Sequence, residues 1–306
     1  MKNLITLTLL LLKGAILSAQ LLLVEPPVRM LALGDSYTIG ASVGESERWP
    51  VQFTEKLKSN GTEVERLDII ARTGWTTRNL KEAINASLDT SVAYNLVSLL
   101  IGVNNQYQGM DIALYETDFR YLLDKAIQIA GGDTGRVLVL SIPDYAFTPY
   151  GGGNETISSG IDQYNSINRQ ISMEYGVTYV DITGISRMGL DRPDYVASDG
   201  LHPSGIQYSR WVDNIMNFVY SPFTTFSESA SESDGFIYPN PAVDYLIIEE
   251  SSYTEVRVYD LNGRVVLFLP NFISPGFVYL DFLPAGFYIL FLSNDKKRTF
   301  LKFQKK

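Results

Sequence analysis

The chain has 306 residues, 45% of them apolar and 19% charged, with one histidine, no cysteine and a formal charge of −9. That length holds one sizeable core plus a smaller unit, and without cysteine there is no disulfide, thiolate nucleophile or cysteine-ligated metal centre. The acidic balance makes nucleic acid a poor partner, because a phosphate backbone calls for a positive footprint.

Residues 1–20, MKNLITLTLLLLKGAILSAQ, place Lys2 before an apolar run and small residues at Ser18-Ala19. The pattern predicts a signal peptide over 1–19, with cleavage near Ala19-Gln20. The alternative is a membrane anchor, but Lys13 interrupts the run well short of the roughly 20 residues a span needs, so no stable span is expected in the mature protein. Leu21 to Val24 extend the apolarity and leave the cleavage position open.

From Val28 onward, strand and helix patterns alternate. VRMLAL reads as a strand, and WPVQFTEKLKS as a helix with Pro50 in its first turn. VERLDIIA is the next strand and TTRNLKEAIN the next helix. The nearly continuous apolar run YNLVSLLIG marks a central strand covered on both faces. In YETDFRYLLDKAIQIA, the residues Phe119, Leu122, Leu123, Ala126 and Ile127 share one helical stripe. RVLVLSI, a helix around 161–174, VTYVDI and a helix from about Ser204 to Val219 complete the series. Five strands with intervening helices predict a parallel sheet in a three-layer α/β/α sandwich over residues 26–220.

The pattern breaks at 221–235, SPFTTFSESASESDG, which reads as a Ser-rich acidic linker. Residues 236–306 then alternate in short runs (DYLIIEE, EVRVYD, RVVLFL, FVYLDF, GFYILFLS, RTFLKF), and Asn262-Gly263 signals a hairpin. A small all-β, sandwich-like domain is expected. It has no histidine and no convergent acids, and its basic end, NDKKRTFLKFQKK, suits either an anionic partner or a solvated terminal strand.

Candidate chemistry lies in the first domain. Ser36, in RMLALGDSYTIG, sits where the first strand ends, the edge at which open parallel sheets bind ligands. A serine hydroxyl needs a base to become a nucleophile. The single histidine, His202 in SDGLHPSG, follows Asp199 by three residues across a turn containing Gly200. That spacing can fold the carboxylate against Nδ1 and leave Nε2 as an outward-facing base. Gly74 in ARTGWTT follows the second strand and Asn104 in LLIGVNNQ the third, each able to donate a hydrogen bond at the same edge. Taken singly, each is an ordinary loop residue; together they supply nucleophile, base, acid and oxyanion donors. Asp35 is expected to be a structural hydrogen-bonding group. Tyr37, Trp75, Tyr107, Tyr145, Phe147 and Tyr150 lie in or near the strand-end loops, and 144–160 looks like a flexible flap or rim.

Four blocks carry a specific resemblance: GDSYT with Ser36, RTGWTT with Gly74, GVNNQ with Asn104, and DGLHPS with Asp199 and His202. In that order the sequence resembles the SGNH hydrolases, also called the GDSL esterase/lipase family. The resemblance implies a serine esterase with a Ser36-His202-Asp199 triad, an oxyanion hole of the Ser36 and Gly74 N–H groups plus the Asn104 side chain, and no metal or organic cofactor. It implies an ester substrate, lysophospholipid and acetylated carbohydrate among the candidates; acyl transfer to a sugar and a non-catalytic surface binding protein are the rivals. One departure stands out: relatives often carry Asp at position 105, where this chain has Asn. The serine also lacks the Gly-x-Ser-x-Gly elbow of ordinary α/β-hydrolases.

IYPNPAVDYLIIEE, VRVYDLNGRVV and LPAGFYILFL, ending in a Lys-rich strand, resemble the type A sorting domain of the type IX secretion system. That implies the secretion machinery as a partner of residues 236–306 and a secreted or cell-surface location.

Overall fold

The computed structural model describes residues 21–220, 237–249, 253–260, 265–269, 272–280, 283–294 and 297–306. The expected leader (1–19), linker (221–235) and Asn262-Gly263 turn lie outside the described residues. Two units separate, one within Gln20–Glu232 and the other within Ser233–Lys306.

The first unit runs β1 (Leu22–Leu23), β2 (Val28–Gly34), α1 (Ser36–Ile39), α2 (Trp49–Ser59), β3 (Val64–Ala71), α3 (Thr77–Ser87), β4 (Leu96–Leu100), α4 (Val103–Tyr107), α5 (Ile112–Ile129), β5 (Val137–Leu140), α6 (Glu155–Tyr175), β6 (Thr178–Val180), α7 (Thr183–Ser186), α8 (Gly205–Met216) and β7 (Val219–Tyr220). Five strands form a parallel sheet in the order β3-β2-β4-β5-β6. Helix α2 packs on α8, and α5 on α3 and α6, so helices flank the sheet as the alternation of patterns predicted. Burial explains the strand sequences. Every residue of β4, LVSLL, is buried, whereas the edge strand β3 has only partly buried and exposed positions.

Helices α5, α6 and α8 begin where a side chain replaces a missing backbone acceptor. The Asp111 side chain accepts from Ala113 N ahead of α5, and the Ser204 side chain from Gln207 N ahead of α8. Helix α6 starts at Glu155, earlier than the expected 161, because Asn154 Oδ1 accepts from Thr156 N at 2.9 Å. Segment 144–160, expected as a flexible flap or rim, is helical from Glu155 and anchored at its root. Its root, the buried Asp144, accepts from Ala146 N at 3.0 Å, Ser158 Oγ at 2.6 Å and Arg187 Nε at 3.0 Å. The last helix also stops short of Val219, which instead pairs in parallel with Leu22. Leu22 and Val24 are fully buried in the core of this unit.

The second unit has β8 (Ile237–Tyr238), β9 (Tyr245–Ile248), β10 (Glu255–Tyr259), β11 (Val265–Leu269), β12 (Gly276–Tyr279), β13 (Gly286–Ser293) and β14 (Arg298–Lys305). They form two antiparallel sheets, β11-β10-β13-β14 and β12-β9-β8. Leu246, Ile248, Val256, Val258, Val278, Leu290, Leu292 and Phe303 share one core. Alternating apolar residues thus face inward, as a half-buried antiparallel sheet requires.

Candidate active site

The sheet order brings three strand ends side by side. Gly34 at the end of β2 pairs with Ala71 of β3 on one side and with Leu100 of β4 on the other. Ser36, Gly74 and Asn104 follow these three residues within a few positions. The chain crosses between β2 and β4, the switch point beyond whose carboxyl ends open α/β sheets bind ligands.

Ser36 is the first residue of the one-turn helix α1 and is 4% exposed. The turn is tight because Gly34 admits no side chain: a Cβ there would lie 2.1 Å from Thr38 Oγ1 and 2.6 Å from Leu100 O. Asp35 caps α1, its Oδ1 accepting from Tyr37 N at 3.0 Å, which is the structural part the sequence suggested for it. Its other oxygen is buried without a hydrogen-bond partner, and burial pushes this carboxyl up to about 7.

Folding is therefore coupled to the Asp35 proton. A carboxyl that ionises near 3.8 unfolded and about 7 folded favours the folded state below pH 3.8, and that contribution is lost as pH rises toward 7. Asp35→Asn keeps the cap acceptor but cannot ionise. Its advantage over the parent should be larger at pH 8 than at pH 4, by a difference on the order of 4 kcal/mol, on top of a pH-independent cost for the amide N–H groups left unpaired where the second oxygen stood. Denaturant melts of both proteins at the two pH values check this; melts that stay parallel would contradict it.

Gly74 follows β3 at φ +83, with nothing within 4 Å of the place a Cβ would occupy, so backbone conformation rather than space calls for glycine. Among the described residues no acceptor takes the N–H of Gly74 or of Ser36. Asn104, in α4, is reached through Gly102 at φ +130. Its Nδ2 donates to Trp75 O at 2.9 Å, which fixes the amide plane and uses one of its two N–H groups. Asn105 differs in kind. It is fully buried, accepts from Thr77 N at 3.0 Å and donates to Thr77 Oγ1 at 2.8 Å, and Thr77 Oγ1 in turn donates to Asp118. With Asp118 already accepting from that hydroxyl, position 105 supplies a donor, which Asn has and an ionised Asp lacks.

Asp199 and His202 sit in the loop before α8. Asp199 Oδ1 accepts from Leu201 N at 2.9 Å and His202 N at 3.0 Å, while Oδ2 lies 2.6 Å from His202 Nδ1. An ionised carboxylate only accepts, so Nδ1 carries a proton, and in the neutral ring Nε2 is the nitrogen left as acceptor. Partial burial opposes ionisation of Asp199. Hydrogen bonds from Ser42, from the His202 side chain and from the His202 and Leu201 N–H groups outweigh it and hold the carboxyl well below its usual range. His202 is 8% exposed, and its ring packs at 5.3 Å from the ring of Tyr37, the residue next to Ser36. All five residues singled out in the sequence thus lie at one edge of one unit. Ser42, whose Oγ donates to Asp199 Oδ2 at 2.6 Å, was not among them.

The aromatic residues divide. Tyr37 and Tyr145 are buried, whereas Tyr107 and Tyr150 are 58% and 56% exposed with their hydroxyls 2.9 Å apart. Tyr145 packs on both rings and donates to Gln106 Oε1 at 3.0 Å, so the three tyrosines form one group beside α4. Among the described residues no three acidic or histidine side chains converge to hold a metal ion.

The fold, a parallel α/β sandwich, and the sequence match together place the chain among the GDSL/SGNH hydrolases. The chain belongs to the GDSL-like lipase/acylhydrolase family, whose model matches residues 32–210. It is a carboxylic ester hydrolase. Residues 236–306 match the secretion system C-terminal sorting domain, and the protein is secreted or displayed at the cell surface. No helix among the described residues is long and apolar enough to cross a membrane. Similar solved structures include a GDSL-like lipase from Parabacteroides merdae, at 18% identity and TM-score 0.52, covering 63% of this chain and 96% of that one. A mutant of the acetyl-xylooligosaccharide esterase Axe2 from Geobacillus stearothermophilus is 20% identical with TM-score 0.51, covering 64% and 95%. TesA is 18% identical with TM-score 0.50, covering 62% and 97%. At these identities the likeness shows the fold. No curated protein matches the sequence.

Proposed function

We propose that the enzyme works by two-step acyl transfer through Ser36, His202 and Asp199. The observation that carries this is the 2.6 Å Asp199–His202 pair, held against the turn that bears Ser36. His202 Nε2 takes the Ser36 proton as Oγ bonds to the ester carbonyl carbon. The oxyanion that forms is met by the Ser36 and Gly74 N–H groups and the second N–H of Asn104 Nδ2. As the C–O bond breaks, His202 returns the proton to the leaving alcohol and an acyl-enzyme remains. Water then adds with the same base, and Ser36 leaves with its proton restored. Asp199, held ionised, keeps the imidazole in one tautomer and stabilises the imidazolium.

The substrate class we favour is a short acyl ester on carbohydrate. Two exposed tyrosines beside α4 offer ring faces and hydroxyls to a sugar, whereas lysophospholipid calls for a long apolar channel. Rates on p-nitrophenyl esters of graded acyl length, beside acetylated xylan and lysophospholipid, test this. Activity that peaks at acetyl and extends to acetylated xylan is the expected outcome; a peak at long chains with lysophospholipid turnover would contradict it.

The domain boundaries belong to the same proposal: a leader over 1–19, a hydrolase unit over 26–220 that the pairing and burial of Leu22 to Val24 extend toward the leader, a linker over 221–235 and a sorting unit over 236–306. Intact mass of the protein recovered from the native medium or cell surface should show a form starting near Gln20 and ending in the linker, or one modified near it. An uncleaved 306-residue chain would contradict these boundaries.

A further inference from the structure

Ser42 is the sole non-glycine residue at positive φ among the described residues, at +66°. An L side chain is disfavoured there, and such strain persists where the surroundings over-determine it. Two features hold Ser42 in place. Ser36 O accepts from both Gly40 N and Ala41 N, so the nucleophile's own carbonyl roots the turn that delivers Ser42. At the far end Ser42 Oγ donates at 2.6 Å to Asp199 Oδ2, 157 residues away in sequence. That oxygen is also the one that meets His202 Nδ1.

The other donors to Asp199, apart from His202 itself, are backbone N–H groups of its own loop, Leu201 and His202. They shape the loop but do not tie it to the nucleophile. Ser42 does. It is the side-chain hydrogen bond that joins the acid's carboxylate to the turn carrying Ser36. We infer that Ser42 is a positioning residue, orienting the Asp199 carboxylate toward His202 and holding the acid–base pair in register with Ser36. The inference rests on Ser36, His202 and Asp199 being the triad, and it adds a fourth member to that constellation. Serine here costs backbone strain that glycine would relieve, and what serine adds is the hydroxyl.

The test uses Ser42→Gly and Ser42→Ala in the full chain, with Ser36→Ala beside them. Glycine relaxes the backbone and removes the hydroxyl; alanine removes the hydroxyl and keeps the strain. Both should lower kcat by about 5- to 50-fold with KM nearly unchanged, because the lost contact is to a charged group that acts in the chemical step. Their melting temperatures should move apart, Ser42→Gly above Ser42→Ala, because both lose the hydroxyl and only alanine keeps the strain. A purely structural residue would let rate follow stability, whereas here the two variants should be equally slow. Because the chain has one histidine, the low-field imidazole N–H proton resonance reports the His202–Asp199 bond without ambiguity. It should shift in Ser42→Gly and persist in Ser36→Ala. A Ser42→Gly enzyme with kcat within about twofold of the parent, a loss confined to KM, or an unmoved resonance would overturn the inference. Retained activity in Ser36→Ala would instead overturn the triad assignment itself, so the two failures are distinct.

Discussion

Ser36→Ala and His202→Ala should each lower esterase kcat on the order of 10⁴- to 10⁶-fold, and the double variant should be no worse than either single. The reason is mechanistic unity. Without Oγ there is no acyl-enzyme, and without the base Oγ is a neutral hydroxyl, so the two losses describe one step and do not add. Neither substitution should unfold the protein, because both side chains sit at the sheet edge rather than in the core under the sheet. Asp199→Asn keeps the shape but replaces an acceptor with a group that can also donate, so the imidazole can settle in the wrong tautomer. Kinetics on a chromogenic ester, with melts of each variant, check the set. Activity of either single variant within tenfold of the parent would remove it from the triad.

The second large effect is expected at Asn104. An amide that meets the oxyanion more strongly than the planar carbonyl raises kcat rather than lowering KM. Asn104→Ala should therefore cost about 10²- to 10³-fold in kcat, the scale seen for loss of one such donor. The structure adds a contrast at its neighbour. Asn104 is partly exposed and spends one donor on Trp75 O, while Asn105 is fully buried and satisfies the Thr77 N–H at the start of α3. Asn105→Ala leaves that N–H without an acceptor, at a cost of about 1–3 kcal/mol in stability. The pair should dissociate: 104 loses rate with little change in melting temperature, and 105 loses melting temperature with much less change in rate. Equal kinetic losses at the two positions, or a loss at 104 confined to KM, would leave only the two backbone donors in the hole.

Much of the fold was legible because its determinants are local. The buried strand β4 is an apolar run, α5 shows its stripe in Phe119, Leu122, Leu123 and Ala126, and β9 and β14 of the second unit alternate between more and less buried residues. The Asp199–His202 contact was legible for the same reason, since three residues and a glycine turn suffice to bring the carboxylate onto the imidazole. What was not legible depends on contacts distant in sequence. Ser42 lies in GASVGESER, an unremarkable polar loop, and its partner is far along the chain. The pairing of Leu22 with Val219 likewise spans the unit, and nothing in either dipeptide announces it. The anchoring of segment 144–160 was not legible, because Asp144 is held by Arg187 from a later element. The early start of α6 had a usable signal in Asn154-Glu155, a side-chain cap followed by an acid in the first turn.

Covalent trapping tests the central claim most directly. The full chain is treated with a fluorophosphonate ester, and the labelled peptide is identified by mass spectrometry. One adduct per chain, on Ser36, appearing in step with loss of esterase activity and absent from Ser36→Ala, is the predicted result. Label on another residue, or esterase activity that survives with Ser36 fully modified, would contradict it.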